Sequence, residues 1–176
     1  MHADKDKFIQ LVRHPFKFRM FLLSKLPSAF FSGVKVIAIT ESTTQVSVPY
    51  KWFSQNPFNS TYFACLAMAA ELSTGLLAMM NTYQSKPAIS MLVIGLEAKY
   101  FKKATGLTTF TCNEGQAIQE TIETAVSTGE GKSIRVKSTG KNEAGELVAE
   151  FFITWSFKVK ESLPALQRRV PDSANS

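Results

Sequence analysis

The sequence predicts an α+β domain in which one long apolar helix packs against an antiparallel sheet of about six strands. Two observations carry this prediction. Residues 60–82 form a run that is apolar on nearly every face, as in a helix buried in a protein core. Much of the remaining chain consists of short runs in which apolar and polar residues alternate, as in strands with one buried face.

The composition fits a folded domain of this kind. The chain has 176 residues, 45% hydrophobic and 19% charged, which gives enough apolar surface to offset the entropy lost on ordering. Its 20 basic and 14 acidic residues give a net charge of +6 without a dense basic run, so we expect no nucleic-acid partner. Cys65 and Cys112 are expected to be buried and reduced, and no Cys/His cluster indicates a metal site.

Three segments divide the chain: a helical arm over residues 1–31, the main domain over 32–160, and a flexible tail over 161–176. Breaks in the arm are predicted near Pro15 and Pro27. The arm mixes Phe with Lys and Arg, which fits packing on the domain, the interpretation we favour, or contact with an anionic membrane surface. No secretory signal pattern is found at the N-terminus, so we expect a cytoplasmic location.

The predicted elements follow in order along the main domain. A hairpin is expected from residues 34–39 and 45–50, with Thr40–Thr43 as its turn. Strands are then predicted at 89–102, 107–112, 134–137 and 147–159, a short helix at 114–126 with strand and loop as its alternative, and a turn at 140–145. One face of the first of these strands is expected to carry Leu92, Ile94, Leu96, Ala98 and Tyr100.

The long helix has two possible settings. It is long enough to cross a bilayer, but Glu71 lies at its centre, and an acid at mid-bilayer is costly. Small residues along the run, including Gly75, allow a sheet to approach closely. We therefore favour a helix wrapped by the sheet, with Asn59 as the candidate N-cap.

This layout resembles the hot-dog fold of acyl-CoA thioesterases, and most closely the branch that contains phenylacetyl-CoA-type thioesterases and uncharacterised bacterial relatives. The stretch from Asn56 to Ala64 carries most of the resemblance. The family has an Asn, a His-Gly-Gly helix start, and an acid nine residues after the His. Tyr62 stands in place of the His here, Phe63 and Ala64 stand in place of the glycines, and Glu71 matches the acid.

Two shorter stretches also resemble the family. Residues 100–106 are similar to the end of a family strand, and residues 145–150 to its last hairpin. Because coenzyme A phosphates often lie near that strand end in the family, the resemblance implies that Lys102 and Lys103 bind substrate. The alternative for both lysines is a solvated strand end.

Thioester hydrolysis needs a group that stabilises the oxyanion and a base or nucleophile. The helix N-terminus offers free N–H groups near Phe63, with Tyr62 and Ala64 as neighbouring substrate contacts. Glu71 would activate water or attack the thioester directly, and its apolar surroundings should raise its pKa. The alternative for Glu71 is a structural carboxylate paired with a Lys, Arg or Tyr.

Geometry constrains how these groups work together. Phe63 and Glu71 lie eight residues apart on one helix, so about 12 Å separates them and one carbonyl cannot contact both. If both act, Glu71 must come from a second subunit. The resemblance implies the same arrangement, a homodimer or dimer of dimers with sites at the interface. Asn56 and Asn59 would orient the substrate or the water, with a turn residue and a helix cap as their respective alternatives.

Three functions follow, in order of preference. The first is an acyl-CoA thioesterase that needs no cofactor beyond the coenzyme A of its substrate. The second is a non-catalytic protein that binds acyl thioesters or fatty-acyl groups, because Phe63 crowds the oxyanion site. The third is a dehydratase, which in this fold pairs a His with an acid. It is ranked last because His2 and His14 both lie in the arm.

Overall fold

The computed structural model describes residues 4–160. Its helices are α1 (Lys5–Arg13), α2 (Pro15–Lys25), α3 (Pro27–Phe31), α4 (Phe63–Thr82) and α5 (Gly115–Thr128), with a 3-10 turn at Trp52–Ser54. Its strands are β1 (Lys35–Ile39), β2 (Thr44–Val48), β3 (Ile89–Tyr100), β4 (Thr108–Cys112), β5 (Lys132–Asn142) and β6 (Leu147–Val159). The predicted α+β architecture is confirmed.

All six strands form one antiparallel sheet in the order β1-β2-β4-β5-β6-β3. Helix α4 packs mainly across β2, β4 and β5. The edge strand β3 therefore extends beyond the region that the helix covers. The long helix wrapped by an antiparallel sheet is the arrangement that the sequence predicts.

Helix α4 is apolar on every side because the sheet, α5 and the arm surround most of it. Its length and composition would also suit a membrane span, but 67% of its most apolar window is buried inside the domain, as in the core helix of a soluble protein. Its buried polar groups have partners across the core. Ser73 Oγ lies 2.7 Å from Ser138 Oγ on β5, and the indole N–H of Trp155 donates to Thr74 Oγ1 at 2.9 Å.

The start of α4 differs from the prediction. The helix begins at Phe63 with Tyr62 as its N-cap, and Asn59 is not the cap. Asn59 instead takes a left-handed conformation, with φ of 56°, inside the preceding loop. The Asn56 side chain closes that loop by accepting hydrogen bonds from the N–H groups of Phe58 and Ser60, which delays the start of the helix.

A β-bulge in β3 changes which of its residues face the core from what the sequence predicts. The register of β3 against β6 shifts between Val93 and Gly95, so the residues before and after it do not continue one alternation. Leu96 pairs with Ile153 on the core side, whereas Leu92 pairs with Ser156 and faces the other side of the sheet. The prediction that Leu92 and Leu96 share one face is therefore wrong.

The last three elements, α5, β5 and β6, largely agree with the prediction from the sequence. Residues 115–128 form a helix, which settles the open alternative, and Ile118 and Ile122 are buried as the four-residue spacing predicts. Strand β6 has the predicted bounds of 147–159. Strand β5 is longer than expected and continues to Asn142, so the predicted turn at 140–145 begins too early.

The arm forms three helices that begin or break at Pro15 and Pro27, as predicted. Phe8, Phe18 and Leu22 are buried and join the same core as the sheet and α4. Packing of the arm on the domain is thus confirmed. The predicted tail, residues 161–176, lies outside the described residues.

Candidate functional site

Two loops meet at the N-terminal end of α4. Thr61 donates to the Ala104 carbonyl through its N–H at 2.8 Å and through its hydroxyl at 3.1 Å. The Lys103 ammonium donates to the Phe58 carbonyl at 3.3 Å. These contacts bring Lys103 to the loop that contains Asn56 and Asn59, so several candidates from distant parts of the sequence lie at one end of the domain.

The first N–H groups of α4 are not equivalent. The N–H of Tyr62 donates to the Ser54 carbonyl at 2.7 Å and is occupied. Those of Phe63 and Ala64 have no acceptor among residues 4–160. The ring of Phe63 packs edge-on against that of Tyr62, with centroids 4.9 Å apart, and 55% of Phe63 is exposed. The positive end of the helix therefore presents two free donors beside a pair of aromatic rings.

The polar groups of Asn56 serve its own loop. Its Oδ1 accepts from the N–H of Phe58 at 2.9 Å and from the N–H and hydroxyl of Ser60, and its Nδ2 donates to the Thr61 carbonyl at 3.4 Å. These contacts fit the alternative interpretation of Asn56 as a turn residue. They also show that Asn56 fixes the loop from which the free donors of α4 project.

Lys102 follows the end of β3 by two residues and forms an ion pair. Its Nζ lies 2.7 Å from Glu146 Oε2, and both side chains are about half exposed. The hydrogen bonds from Lys102 and Asn142 to Glu146 lower the pKa of that carboxyl. Lys102 is thus held at the surface, within the same corner of the domain as Lys103.

Glu71 lies in the middle of α4, where it faces the junction of α2 and α3. It lines a pocket of 240 Å³ with Lys25, Leu26, Pro27, Ser28, Ala29, Met68 and Leu72. Burial in these surroundings raises the pKa of the Glu71 carboxyl. The carboxylate forms no hydrogen bond or ion pair with any other residue in the range 4–160. The structural alternative, a carboxylate paired with Lys, Arg or Tyr, therefore finds no partner there.

Two residues that the sequence did not single out as site residues shape the surroundings of Glu71. Gly75 lies one turn further along α4, and a Cβ placed on it would stand 3.2 Å from Glu71 Oε1 and 3.3 Å from Trp155 Cζ2. The carboxylate thus lies over a glycine and close to a buried indole. The four-residue spacing of Glu71 and Gly75 is visible in the sequence, but the approach of Trp155 depends on the fold.

The structure does not bring Glu71 and the N-terminus of α4 together within one protomer. They lie eight residues apart on a continuous helix, which corresponds to about 12 Å. Glu71 shares a half-open stripe of α4 with Ala64, Ala67 and Met68, whereas most of the helix is buried. This stripe leaves one side of α4 accessible to another molecule.

Neither a metal site nor a reactive thiol is found among the described residues. Residues 4–160 contain no group of three or more His, Cys, Asp or Glu side chains that would hold a metal ion. Cys65 and Cys112 are both free and buried, as expected. Burial raises the pKa of the Cys112 thiol to about 11, so it is protonated at neutral pH.

Comparison with solved structures identifies the architecture. A candidate thioesterase from Shewanella oneidensis superposes with a TM-score of 0.69 at 13% identity, over 88% of this chain and 99% of that one. A protein of unknown function from Pseudomonas aeruginosa, proposed to be a thioesterase, gives 0.67 at 17% identity, over 91% and 99%. A thioesterase from Haemophilus influenzae gives 0.60 at 11% identity, over 85% and 94%. At these identities the likeness establishes the fold, and that fold is the hot-dog fold.

The sequence itself places the chain in a family. The model of the family described as Domain of unknown function (DUF4442) matches residues 17–157, which is most of the chain. The protein therefore belongs to this family. A comparison with curated proteins finds no significant match.

Proposed function

We propose that this protein hydrolyses acyl thioesters, with acyl-CoA as the expected substrate, at a site formed between two copies of the chain. The observation that carries the proposal is the Glu71 carboxylate on the hot-dog helix. It shares a mostly apolar pocket with Lys25 but forms no hydrogen bond or ion pair with any residue of the described range. A carboxylate with a raised pKa suits proton transfer near neutral pH. Fold neighbours named as thioesterases support the same reaction class.

The chemistry would divide between two places on α4, the middle of the helix with Glu71 and its N-terminus with the free N–H groups. Glu71 accepts a proton from a water molecule, whose oxygen attacks the thioester carbonyl carbon. The N–H groups of Phe63 and Ala64, supplied by the other copy, stabilise the negative charge that develops on the carbonyl oxygen. The C–S bond then breaks, the thiolate sulfur takes the proton from Glu71, and the carboxylic acid is released. In the alternative path Glu71 attacks the carbonyl carbon itself, the C–S bond breaks, and the thiolate leaves as a mixed anhydride forms. Water then hydrolyses the anhydride, which returns the Glu71 carboxylate and releases the carboxylic acid, and the proton lost from the water goes to the thiolate.

The free edge of the sheet supports pairing of two copies. Leu96 and Tyr100 lie on the core side of β3 and are about half exposed, because α4 does not cover this part of the strand. A long edge strand with exposed apolar residues invites pairing with another strand. An antiparallel second copy would cover these residues and place its own α4 against the first, which is what the shared site requires.

A second candidate function is binding of an acyl thioester or fatty-acyl group without hydrolysis. The aromatic pair of Tyr62 and Phe63 favours it, because these rings stand beside the free donors, where the acyl-CoA thioesterases that the sequence resembles have His and Gly. Large side chains at the start of α4 hinder the close approach of a substrate carbonyl to the backbone N–H groups. The two functions differ in whether any acyl-CoA is turned over.

The direct test is release of free coenzyme A from a panel of acyl-CoAs of different chain length. Wild-type protein should turn over at least one of them, with an acidic limb in its pH profile above the ordinary carboxyl pKa of 4.5. Glu71→Gln should lower kcat by about 10²-fold or more while retaining ligand affinity. The matched control is Glu123→Gln, which changes an exposed carboxylate on α5 and should leave kcat unchanged. Full activity of Glu71→Gln would exclude Glu71 from the reaction.

A mixing experiment tests whether the site is shared. Phe63→Pro removes one free N–H donor at the first helical position, where proline is tolerated and where Tyr62 already has an extended ψ of 134°. Phe63→Pro and Glu71→Gln homodimers should each be defective. When equal amounts of the two variants are mixed and their subunits exchange, about half of the dimers become hybrids. Each hybrid has one intact site of its two, so about a quarter of wild-type activity should return. No recovery would indicate that each site lies within one chain.

A further inference from the structure

Helix α2 presents apolar side chains on two opposite faces. Phe18 and Leu22 are buried against the domain. Phe16, Met20 and Leu23 are exposed on the outward side, and 71% of Phe16 is accessible. Their spacing of four and three residues places these three side chains in one row. A helix that only packed on its domain would carry polar residues along this row.

Cations flank the outward row. At about 100° per residue, Lys17 and Arg19 lie on either side of the row formed by Phe16, Met20 and Leu23. The segment 15–25 contains three basic residues and no acidic one. Neither Lys17 nor Arg19 forms an ion pair with a carboxylate of the described chain. The positive charge on both flanks is therefore uncompensated within the domain.

Ring contacts extend this surface beyond α2. The Arg19 guanidinium lies 4.1 Å from the centroid of the Phe30 ring. The contacts continue from Phe30 to Phe31 at 5.3 Å, from Phe31 to Phe53 at 5.6 Å, and from Phe53 to Trp52 at 5.8 Å. Phe31 and Phe53 are exposed, and 79% of Trp52 is accessible. Exposed apolar and aromatic residues thus continue from α2 to the 3-10 turn.

We propose that this surface, the arm face, docks the protein on a membrane that contains anionic lipids. The arm face comprises Phe16, Lys17, Arg19, Met20, Leu23, Phe31, Trp52 and Phe53. Its apolar row would enter the boundary between headgroups and acyl chains, and its flanking cations would meet anionic headgroups. Indole rings favour the same boundary, where one side is apolar and the other is wet.

Charge favours a membrane over a second copy of the chain as the partner. A symmetric contact of the arm face with itself would bring the cations of Lys17 and Arg19 in each copy close to those of the other. Like charges brought together in this way disfavour the contact. An anionic bilayer has the complementary charge. The proposal does not depend on the thioesterase function, since it rests only on the arm and the 3-10 turn.

Co-sedimentation of the full-length protein with lipid vesicles tests the proposal. Vesicles of phosphatidylcholine with 30 mol% phosphatidylglycerol, about a third anionic lipid, should bind the wild type, and binding should weaken as salt rises. Vesicles of pure phosphatidylcholine should bind much less. A Phe16→Ser/Met20→Ser double variant should bind at least about tenfold more weakly. Leu92→Ser, which removes an exposed apolar side chain on the opposite sheet edge, is the matched control and should bind like wild type.

A second pair of variants isolates the charge. Lys17→Glu should weaken binding to the anionic vesicles by about thirtyfold, because one cation is replaced by an anion at the surface. Lys141→Glu makes the same change at an exposed position of β5 and should have little effect. Trp52 supplies an optical readout: the other tryptophan, Trp155, is buried, so a blue shift of emission on adding vesicles reports Trp52 entering the bilayer boundary.

Three results would overturn the proposal. One is wild-type protein that stays in the supernatant with both vesicle types. Another is a Phe16→Ser/Met20→Ser variant that binds as well as wild type. The third is a lower solution mass of that double variant in scattering without vesicles, which would assign the arm face to a contact between copies.

Discussion

The Glu71 carboxylate lies over Gly75, one turn further along α4, in space that a larger side chain at position 75 would fill. A methyl group on Gly75 would stand 3.2 Å from Glu71 Oε1, closer than most carbon neighbours approach, and 3.3 Å from the Trp155 ring. The indole cannot move easily, because it is buried and its N–H donates to Thr74 Oγ1. The carboxylate is therefore the group that must give way to a larger residue at position 75.

Gly75→Ala should consequently lower activity without unfolding the protein. Alanine in place of glycine within a helix favours folding by about 1 kcal/mol, which offsets part of the crowding. Displacement of the carboxylate by a few tenths of an ångström should reduce kcat about tenfold. Steady-state kinetics and urea unfolding of the same preparations measure the two effects separately.

Gly131→Ala is the matched control for that substitution. A Cβ at Gly131 would have only an ordinary contact, 3.9 Å from the Phe157 carbonyl. Its activity should equal that of wild type. Undiminished kcat in Gly75→Ala would mean that the position of the Glu71 carboxylate over Gly75 is not required.

Leu96→Lys should disrupt the proposed pairing of two copies. Leu96 is half exposed on the core side of β3, so a lysine there can reach solvent in a monomer but would be buried in a dimer. We expect half the wild-type mass in solution scattering at micromolar concentration, unchanged circular dichroism, and loss of turnover. Ile37→Lys, on the exposed opposite edge strand β1, should keep the wild-type mass. A monodisperse wild-type monomer would contradict the assembly.

The pattern of hydrophobic residues in the sequence predicts most of the fold. This pattern was enough to place β6 by its alternation and α4 as a continuous apolar run, and it favoured a helix for α5 while strand and loop stayed open. It could not place the bulge between Val93 and Gly95, because the strand is apolar on both sides of that point. It also missed the start of α4, since Asn56 uses its side chain to hold a loop where a cap would otherwise form.

Less of the candidate site than of the fold could be predicted from the sequence. Glu71 is conspicuous in the sequence as a lone acid in an apolar helix, but only the structure reveals that no described side chain pairs with it. Contacts such as that of Lys103 with the Phe58 carbonyl, or of Gly75 with Trp155, join segments far apart in sequence. The sequence left membrane contact of the arm as the less favoured alternative, because the exposed apolar residues of α2 alternate with a buried set on the same helix.

Lys102→Gln tests the expected contact with coenzyme A. Its ion pair with Glu146 is half exposed, so losing it should leave the free energy of unfolding nearly unchanged. If Lys102 also meets substrate phosphates, KM for acyl-CoA should rise severalfold with kcat unchanged, and KM for an acyl-pantetheine without these phosphates should not change. Glu146→Gln, which frees the lysine, should not raise KM. Equal effects on both substrates would argue against a phosphate contact.

Phe63→Gly distinguishes the two proposed functions. It removes the ring beside the free N–H donors and introduces the glycine that the resemblance to hot-dog thioesterases implies at this place, so a carbonyl can approach more closely. If the wild type is a slow thioesterase, kcat/KM should rise about tenfold or more. If it is a binding protein, turnover should appear only in the variant. The substitution should cost less than about 1 kcal/mol of stability, since Phe63 is largely exposed. A decrease in turnover would mean that the ring itself positions the substrate.

Glu71→Gln should stabilise the fold, and the stabilisation should depend on pH in a defined direction. Burial raises the pKa of Glu71 in the folded state above its ordinary value of 4.5, so the folded protein holds this proton more tightly than the unfolded chain. Below pH 4.5 the carboxyl is protonated in both states and costs the fold nothing. As pH rises from there through the folded-state pKa, stability falls, and it stays reduced above that pKa because the buried carboxylate is then charged.

The neutral Gln does not titrate, so the difference in free energy of unfolding between Glu71→Gln and wild type should be smallest near pH 4. It should grow as pH rises and level off once Glu71 is ionised in the folded protein. Urea unfolding at several pH values between 4 and 8 gives this difference directly, and the exposed Glu123→Gln is the control for replacing a carboxylate by an amide at the surface. A difference that instead favours wild type as pH rises would mean that the ionised carboxylate has a stabilising partner, such as a group supplied by a second copy of the chain.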